Sequence, residues 1–112
     1  MVAEQKLLHT NLTVDENGHL LFAGADTVAL AEKYGTPLFL IDDERVRERC
    51  PEYKIAMKKY FGEGSFPLYA SKALSFKEIY RIMADEGMGT DIVSSGELFT
   101  AVSAGFPMER AF

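Results

Sequence analysis

The sequence predicts an α/β fold built around a parallel sheet, on three observations. From Leu38 onward, apolar strand-like runs alternate with helical periodicity in the order strand, helix, strand, helix, strand, helix. The runs are short and bounded by glycine, proline or serine. Two of them end in polar residues, as the functional ends of parallel strands do. Strands separated by helices pair through right-handed crossovers. Periodicity leaves two architectures open, a doubly wound sheet or part of a (β/α)8 barrel. A complete barrel takes about 250 residues, so the barrel reading makes this 112-residue chain part of one.

The segment NLTVDENGHLLFAG precedes that pattern and reads as a β-hairpin. Val14, Leu20 and Phe22 lie on alternating runs around Asn17-Gly18, a pair suited to the positive φ angles of a type I′ turn. ADTVALAEKYG reads as a short helix. Asp26 caps it, Leu30, Ala31 and Tyr34 form its apolar stripe, and Gly35 suits a left-handed exit. Thr36-Pro37 imposes extended backbone ahead of LFLI, which is expected to be a buried strand.

A longer helical segment runs from about Asp43 to Tyr60, with Val46, Cys50, Tyr53, Met57 and Tyr60 on one face. Pro51 interrupts it, and the expectation is a helix that restarts with Pro51 at its first position; a kink is the alternative. FPLYA predicts the next strand. Ser75 and Glu78 then have capping-box spacing ahead of Phe76, Ile79, Tyr80 and Met83, and Gly87 stops that helix. GTDIVSS is a further short strand. Ser94 and Glu97 repeat the capping-box spacing before a helix carrying Leu98, Phe99, Ala101 and Val102, which Gly105 and Pro107 end. ERAF reads as the approach to another strand.

A content of 47% apolar and 26% charged residues is that of a folded soluble domain rather than a disordered chain. The net charge of −5 and the lack of a basic cluster argue against nucleic acid as a partner. No apolar run nears the roughly 20 residues of a membrane span. The N-terminus has no long apolar secretory segment either, so a cytoplasmic location is expected. Cys50 is the sole cysteine, so no internal disulfide can form, and with only His9 and His19 beside it no metal site is expected. Cys50 reads as a packed side chain and the two histidines as surface residues.

The chemistry-bearing residues collect at two strand ends. One strand delivers Ser71 and Lys72; the other delivers Asp91, Ser94, Ser95, Gly96 and Glu97. Partial burial beside Tyr69, Ala70 and Leu74 would disfavour the ammonium of Lys72 and favour the neutral amine that attacks carbonyls. The alternative is a lysine whose stem packs on the strand edge while its head stays in water. Asp91 either faces Lys72 from the neighbouring strand or points to solvent. Helix capping by itself accounts for Glu97, and the Ser94-Ser95-Gly96 amides are those of any helix start. No glycine-rich phosphate fingerprint or serine–histidine nucleophile is present.

YASKAL is followed, nineteen residues after its lysine, by the aspartate of TDIVSSGEL. With LAEKYGTPLFLIDDERVRE and AVSAGFPMER, these runs resemble the pyridoxal-phosphate decarboxylases of the alanine-racemase fold, over roughly Leu20 to Phe112. The entry run is most similar to the branch that converts meso-diaminopimelate to L-lysine. The resemblance implies a homodimeric two-domain enzyme, with a (β/α)8 barrel that binds pyridoxal 5′-phosphate and a β-rich domain. Residues 1–42 would then be the hairpin, short helix and entry strand on the β-domain side, and 43–112 the first part of the barrel.

By the same resemblance Lys72 is the residue that holds the cofactor covalently, and Ala70, Asp91 and Glu97 flank it. The phosphate-binding loop and the carboxylate for the pyridine nitrogen would lie past Phe112, so these 112 residues are expected to be inactive alone. Leu74, where many relatives have asparagine, and Pro51, inside a usually uninterrupted helix, depart from the pattern. Alternative readings are a decarboxylase of ornithine, arginine or carboxynorspermidine, or a non-catalytic pyridoxal-phosphate barrel protein.

Overall fold

The computed structural model describes residues 9–112, which fall into two compact units, one ending at Asp42 and one running from Asp43 to Phe112. In the first, β1 (Leu12–Val14), β2 (Leu20–Phe22) and β3 (Ala25–Asp26) form an antiparallel sheet in that order. Leu12 pairs with Phe22 and Val14 with Leu20, as the hairpin reading requires, but the turn differs. Asp15 and His19 close it, the Gly18 amide donates to the Asp15 carbonyl, and Gly18 has φ +80°. This is a three-residue loop with a glycine bulge rather than a two-residue type I′ turn. The Asp15 carboxylate selects the longer loop by accepting from the Asn17 and His19 amides. The tight turn lies instead between β2 and β3, at Ala23 and Gly24, with φ +49° and +80°.

Helix α1 (Thr27–Tyr34) starts where Asp26 predicts, its carboxylate accepting from the Val28 and Ala29 amides. The Thr27 hydroxyl ties that start to β2 by donating to the Leu20 carbonyl. Gly35 ends the helix with a positive φ, though with ψ 178° it is not the left-handed helical geometry. Leu38–Ile41 forms no strand. Its apolar run signals burial, but a ladder needs a partner, and none of the described strands pairs with it; Phe39 is 91% exposed.

The second unit opens with α2 (Asp43–Phe61), one continuous helix with Pro51 inside it. The expected restart does not occur. Pro51 is exposed and removes one backbone donor, while Cys50 beside it is 2% exposed and packs against the next helix. Then follow β4 (Leu68–Ala70), a 3-10 turn (Ser71–Ala73), α3 (Lys77–Asp85), β5 (Gly89–Asp91) and α4 (Ser95–Ala104). β4 and β5 pair in parallel, Leu68 with Gly89, Tyr69 with Thr90 and Ala70 with Asp91. A parallel bridge from Thr90 to Ala111 starts a third line of pairing on the other side of β5. The Phe112 amide donates to the Thr90 carbonyl there, and the Ile92 amide to the Phe112 carbonyl. The approach read in ERAF is therefore real.

The core of this unit lies between the helices and the β4–β5 pair. Ile79, Tyr80, Ile82 and Met83 of α3 meet Ala101 of α4 and Phe106; each large side chain buried this way contributes about 1.5–3 kcal/mol. The Tyr80 and Phe106 rings meet edge to face at 6.2 Å. The Ser75–Glu78 capping box does not form. Phe76 occupies the cap position of α3 without a side-chain hydrogen bond, and the Ser75 hydroxyl lies 3.0 Å from the Tyr80 hydroxyl instead. That buried phenol has no other hydrogen-bond partner among the described residues. No helix among the described residues is long and apolar enough to cross a membrane.

Candidate functional site

The carboxyl ends of β4 and β5 lie side by side, because Ala70 and Asp91 are register partners. The chain leaves β4 through the 3-10 turn, so Lys72 stands two residues past Ala70 at that edge. Both sides of the turn are tied down. The Tyr69 hydroxyl donates to the Leu74 carbonyl at 2.9 Å. Ser71, fully buried, places its hydroxyl 2.8 Å from the Asp91 carbonyl and 3.0 Å from Glu97 Oε2.

Lys72 is exposed, as is Ala70, and Asp91 is half-buried. The partial burial expected of the lysine is not present among the described residues: one strand pair and a bridge build no wall over the amine. Neither the Lys72 amine nor the Asp91 carboxylate has a hydrogen-bonding partner among the described residues.

Glu97 is placed differently. It is only 9% exposed, and its Oε2 accepts from the Val93 amide at 2.8 Å as well as from Ser71. The Val93 amide is the main cause holding its carboxyl below the usual range; the Ser71 and Ser94 hydroxyls and the positive charge of Lys72 add to this against the opposing effect of burial. The Ser94 hydroxyl caps α4 by accepting from the Glu97 amide. The reciprocal arm of a capping box would return the glutamate to the Ser94 amide; here it reaches Val93 and Ser71 instead.

The predicted site residues thus form one edge, with Ala70 and Asp91 adjacent, Lys72 on the next turn and Glu97 behind Ser71. Sequence reasoning noted Ser71 only as a polar strand end. The signal for more was a small hydroxyl residue closing an apolar strand, whose partner is 26 positions away. On the outer side of β4, an apolar groove of about 400 Å³ runs between Cys50 and Tyr53 of α2 and Leu68 to Ala70. Val46, Pro67, Leu68, Met83 and Met88 make its lining mainly apolar, with Arg49 the one charged residue among them.

Residues 44–112 match the family model described as pyridoxal-dependent decarboxylase, pyridoxal binding domain. The chain is 45% identical to diaminopimelate decarboxylase from Bacillus subtilis (strain 168) over 103 residues, covering 92% of this chain and 23% of that protein. It is also 45% identical over 102 residues to the diaminopimelate decarboxylase of Methanothermobacter thermautotrophicus, covering 89% of this chain and 23% of the relative. Among solved structures, diaminopimelate decarboxylase from M. jannaschii in complex with L-lysine superposes with a TM-score of 0.75 at 30% identity, over 91% of this chain and 24% of that one. The chain therefore spans about a quarter of the length of the relatives it matches. With a lysine-bearing strand end set in an α/β unit of matching fold, the chain belongs to the pyridoxal-dependent decarboxylase family, within its pyridoxal binding domain.

Proposed function

We propose that this chain supplies the lysine-bearing part of a pyridoxal 5′-phosphate site in an amino-acid decarboxylase that converts meso-diaminopimelate to L-lysine. The observation that carries the reading is the parallel register of Ala70 with Asp91, which sets Lys72 at the carboxyl edge of two adjacent strands. Functional groups of parallel α/β folds collect at that edge. The substrate rests on the names of the relatives.

The residues present fit the cofactor at its aldehyde end. Lys72 offers a primary amine, Ala70 leaves room beside it, and Asp91 provides a carboxylate on the same edge. Lys72 would hold the aldehyde carbon through Nζ, with the carbonyl oxygen leaving as water. When bound, pyridoxal phosphate supplies a conjugated ring that accepts the electron pair released as the carboxylate departs. Asp91 orients charge at the strand edge, and Glu97 acts from behind Ser71.

The remaining parts of the reading follow from the same family. The pairing order β4, β5, Ala111 runs in chain sequence, the order of a (β/α)8 barrel, and supports residues 43–112 as its first part. Residues 1–42 belong with a β-rich domain, and the whole protein is a cytoplasmic homodimer. The test is to incubate the full-length protein with pyridoxal phosphate, reduce with borohydride and map the adduct. Labelling concentrated at Lys72 supports the reading; labelling spread evenly over Lys33, Lys58 and Lys77 overturns it. Carbon dioxide release from meso-diaminopimelate, compared with ornithine and arginine, tests the substrate.

A further inference from the structure

The geometry points to Glu97 as a positioning residue that acts through the Ser71 hydroxyl to fix the backbone from which Lys72 projects; this rests on Lys72 being the cofactor tether. Ser71 is fully buried at the junction of three elements, the end of β4, the end of β5 and the start of α4. Its hydroxyl has one proton and faces two acceptors, the Asp91 carbonyl at 2.8 Å and Glu97 Oε2 at 3.0 Å. A residue needed only to fill this space would be alanine, since a buried hydroxyl is costly unless hydrogen-bonded. Helix capping explains Ser94 and the Glu97 amide, but not the bond that the Glu97 carboxylate accepts from Ser71 in addition to the one from the Val93 amide.

The consequence falls on the next residue. The 3-10 turn from Ser71 to Ala73 contains Lys72, and its two flanks are held by unlike means, a carboxylate-anchored hydroxyl before the lysine and the Tyr69–Leu74 hydrogen bond after it. Fixing the backbone on both sides confines the arc through which the long lysine side chain swings, and preorganisation of this kind raises the rate of bond formation without adding a contact to the incoming group.

Trapping of the Lys72 adduct with pyridoxal phosphate as probe tests this, in the full-length protein with Lys77 as internal reference. Two parameters are read, the half-saturating concentration and the rate at saturation, for wild type, Ser71→Ala, Glu97→Met and the double variant. The expected result is a roughly fivefold fall in the saturating rate at Lys72, the worth of one hydrogen bond, with half-saturation and Lys77 labelling unchanged. The double variant should be no slower than the slower single one, because the two residues act as one unit. An unchanged rate, or losses that multiply, overturns the inference. Should Ser71→Ala fail to fold, the same split measured in Glu97→Met, which has no oxygen to accept from Ser71, decides alone. Wild-type protein that labels Lys72 no faster than Lys77 removes the tether itself, a separate result read before any variant.

Discussion

Lys54 of α2 donates through Nζ to the Glu86 carbonyl at 2.7 Å, placing a cation on the C-terminal end of α3. Helix C-termini carry partial negative charge and unpaired carbonyls, and a lysine there answers both. Arg110 serves the same end by donating to the Ala84 carbonyl at 3.2 Å, and Arg47 adds ion pairs with Asp85 and Glu86. Lys54→Met keeps the aliphatic stem and removes the donor. The expected loss is about 1 kcal/mol, seen as a lower denaturant midpoint with an unchanged slope. A midpoint equal to wild type would show that water replaces the amine without loss.

Gly89 starts β5 where its neighbours leave no room for a side chain. A β-carbon there would press against Leu68 Cδ2 and lie 2.8 Å from Phe66 Cε2 and 3.0 Å from the Arg110 carbonyl. The side chains could rotate aside, but the carbonyl belongs to the backbone that leads into the Thr90–Ala111 bridge. Gly89→Ala should therefore cost about 1–3 kcal/mol by overpacking. The loss should appear in thermal unfolding, together with faster amide exchange at Gly89 and Asp91. A variant as stable as wild type would mean the strands separate without cost.

How much of this was legible in the sequence depended on whether the deciding partner was local. The stripe of Ile79, Tyr80 and Met83 and the Asp26 cap are local, and both stand as read. Two capping-box spacings looked alike, yet Ser94 caps its helix while Ser75 turns to Tyr80. The competitor that decided the second case is a buried phenol, which the Ser–Glu spacing does not include. Asn17-Gly18 was the stronger tight-turn signal, but Asp15 drew its loop one residue longer, and Ala23-Gly24 turned tightly because β3 pairs back on β2. LFLI carries the apolar signal of a strand, and none of the described strands pairs with it. At the candidate site, Lys72 and Asp91 could be placed from strand ends. The Ser71–Glu97 contact could not, because it joins separate elements.

His19 and Asp26 give the hairpin unit a pH dependence whose sign is set by two opposed shifts. His19 Nδ1 lies 3.0 Å from Asp26 Oδ2, and that hydrogen bond is the main cause raising the imidazole pKa and lowering the carboxyl pKa. Asp15 and Glu32 add smaller upward pulls on His19, and burial opposes both shifts. A raised histidine contributes stability that is complete below its unfolded pKa and is lost as pH rises through the folded one. A depressed aspartate contributes above its unfolded pKa and loses its share as pH falls through the folded one. The pair is therefore strongest between roughly pH 4 and 6.5. Protection of the Leu21 and Val28 amides against exchange, taken relative to the intrinsic rate at each pH, should be greatest in that window. His19→Ala should flatten the alkaline limb and shrink the acid one to the part that the Val28 and Ala29 amides give Asp26. Protection that does not fall past neutral pH would mean the histidine is not held by Asp26 in solution.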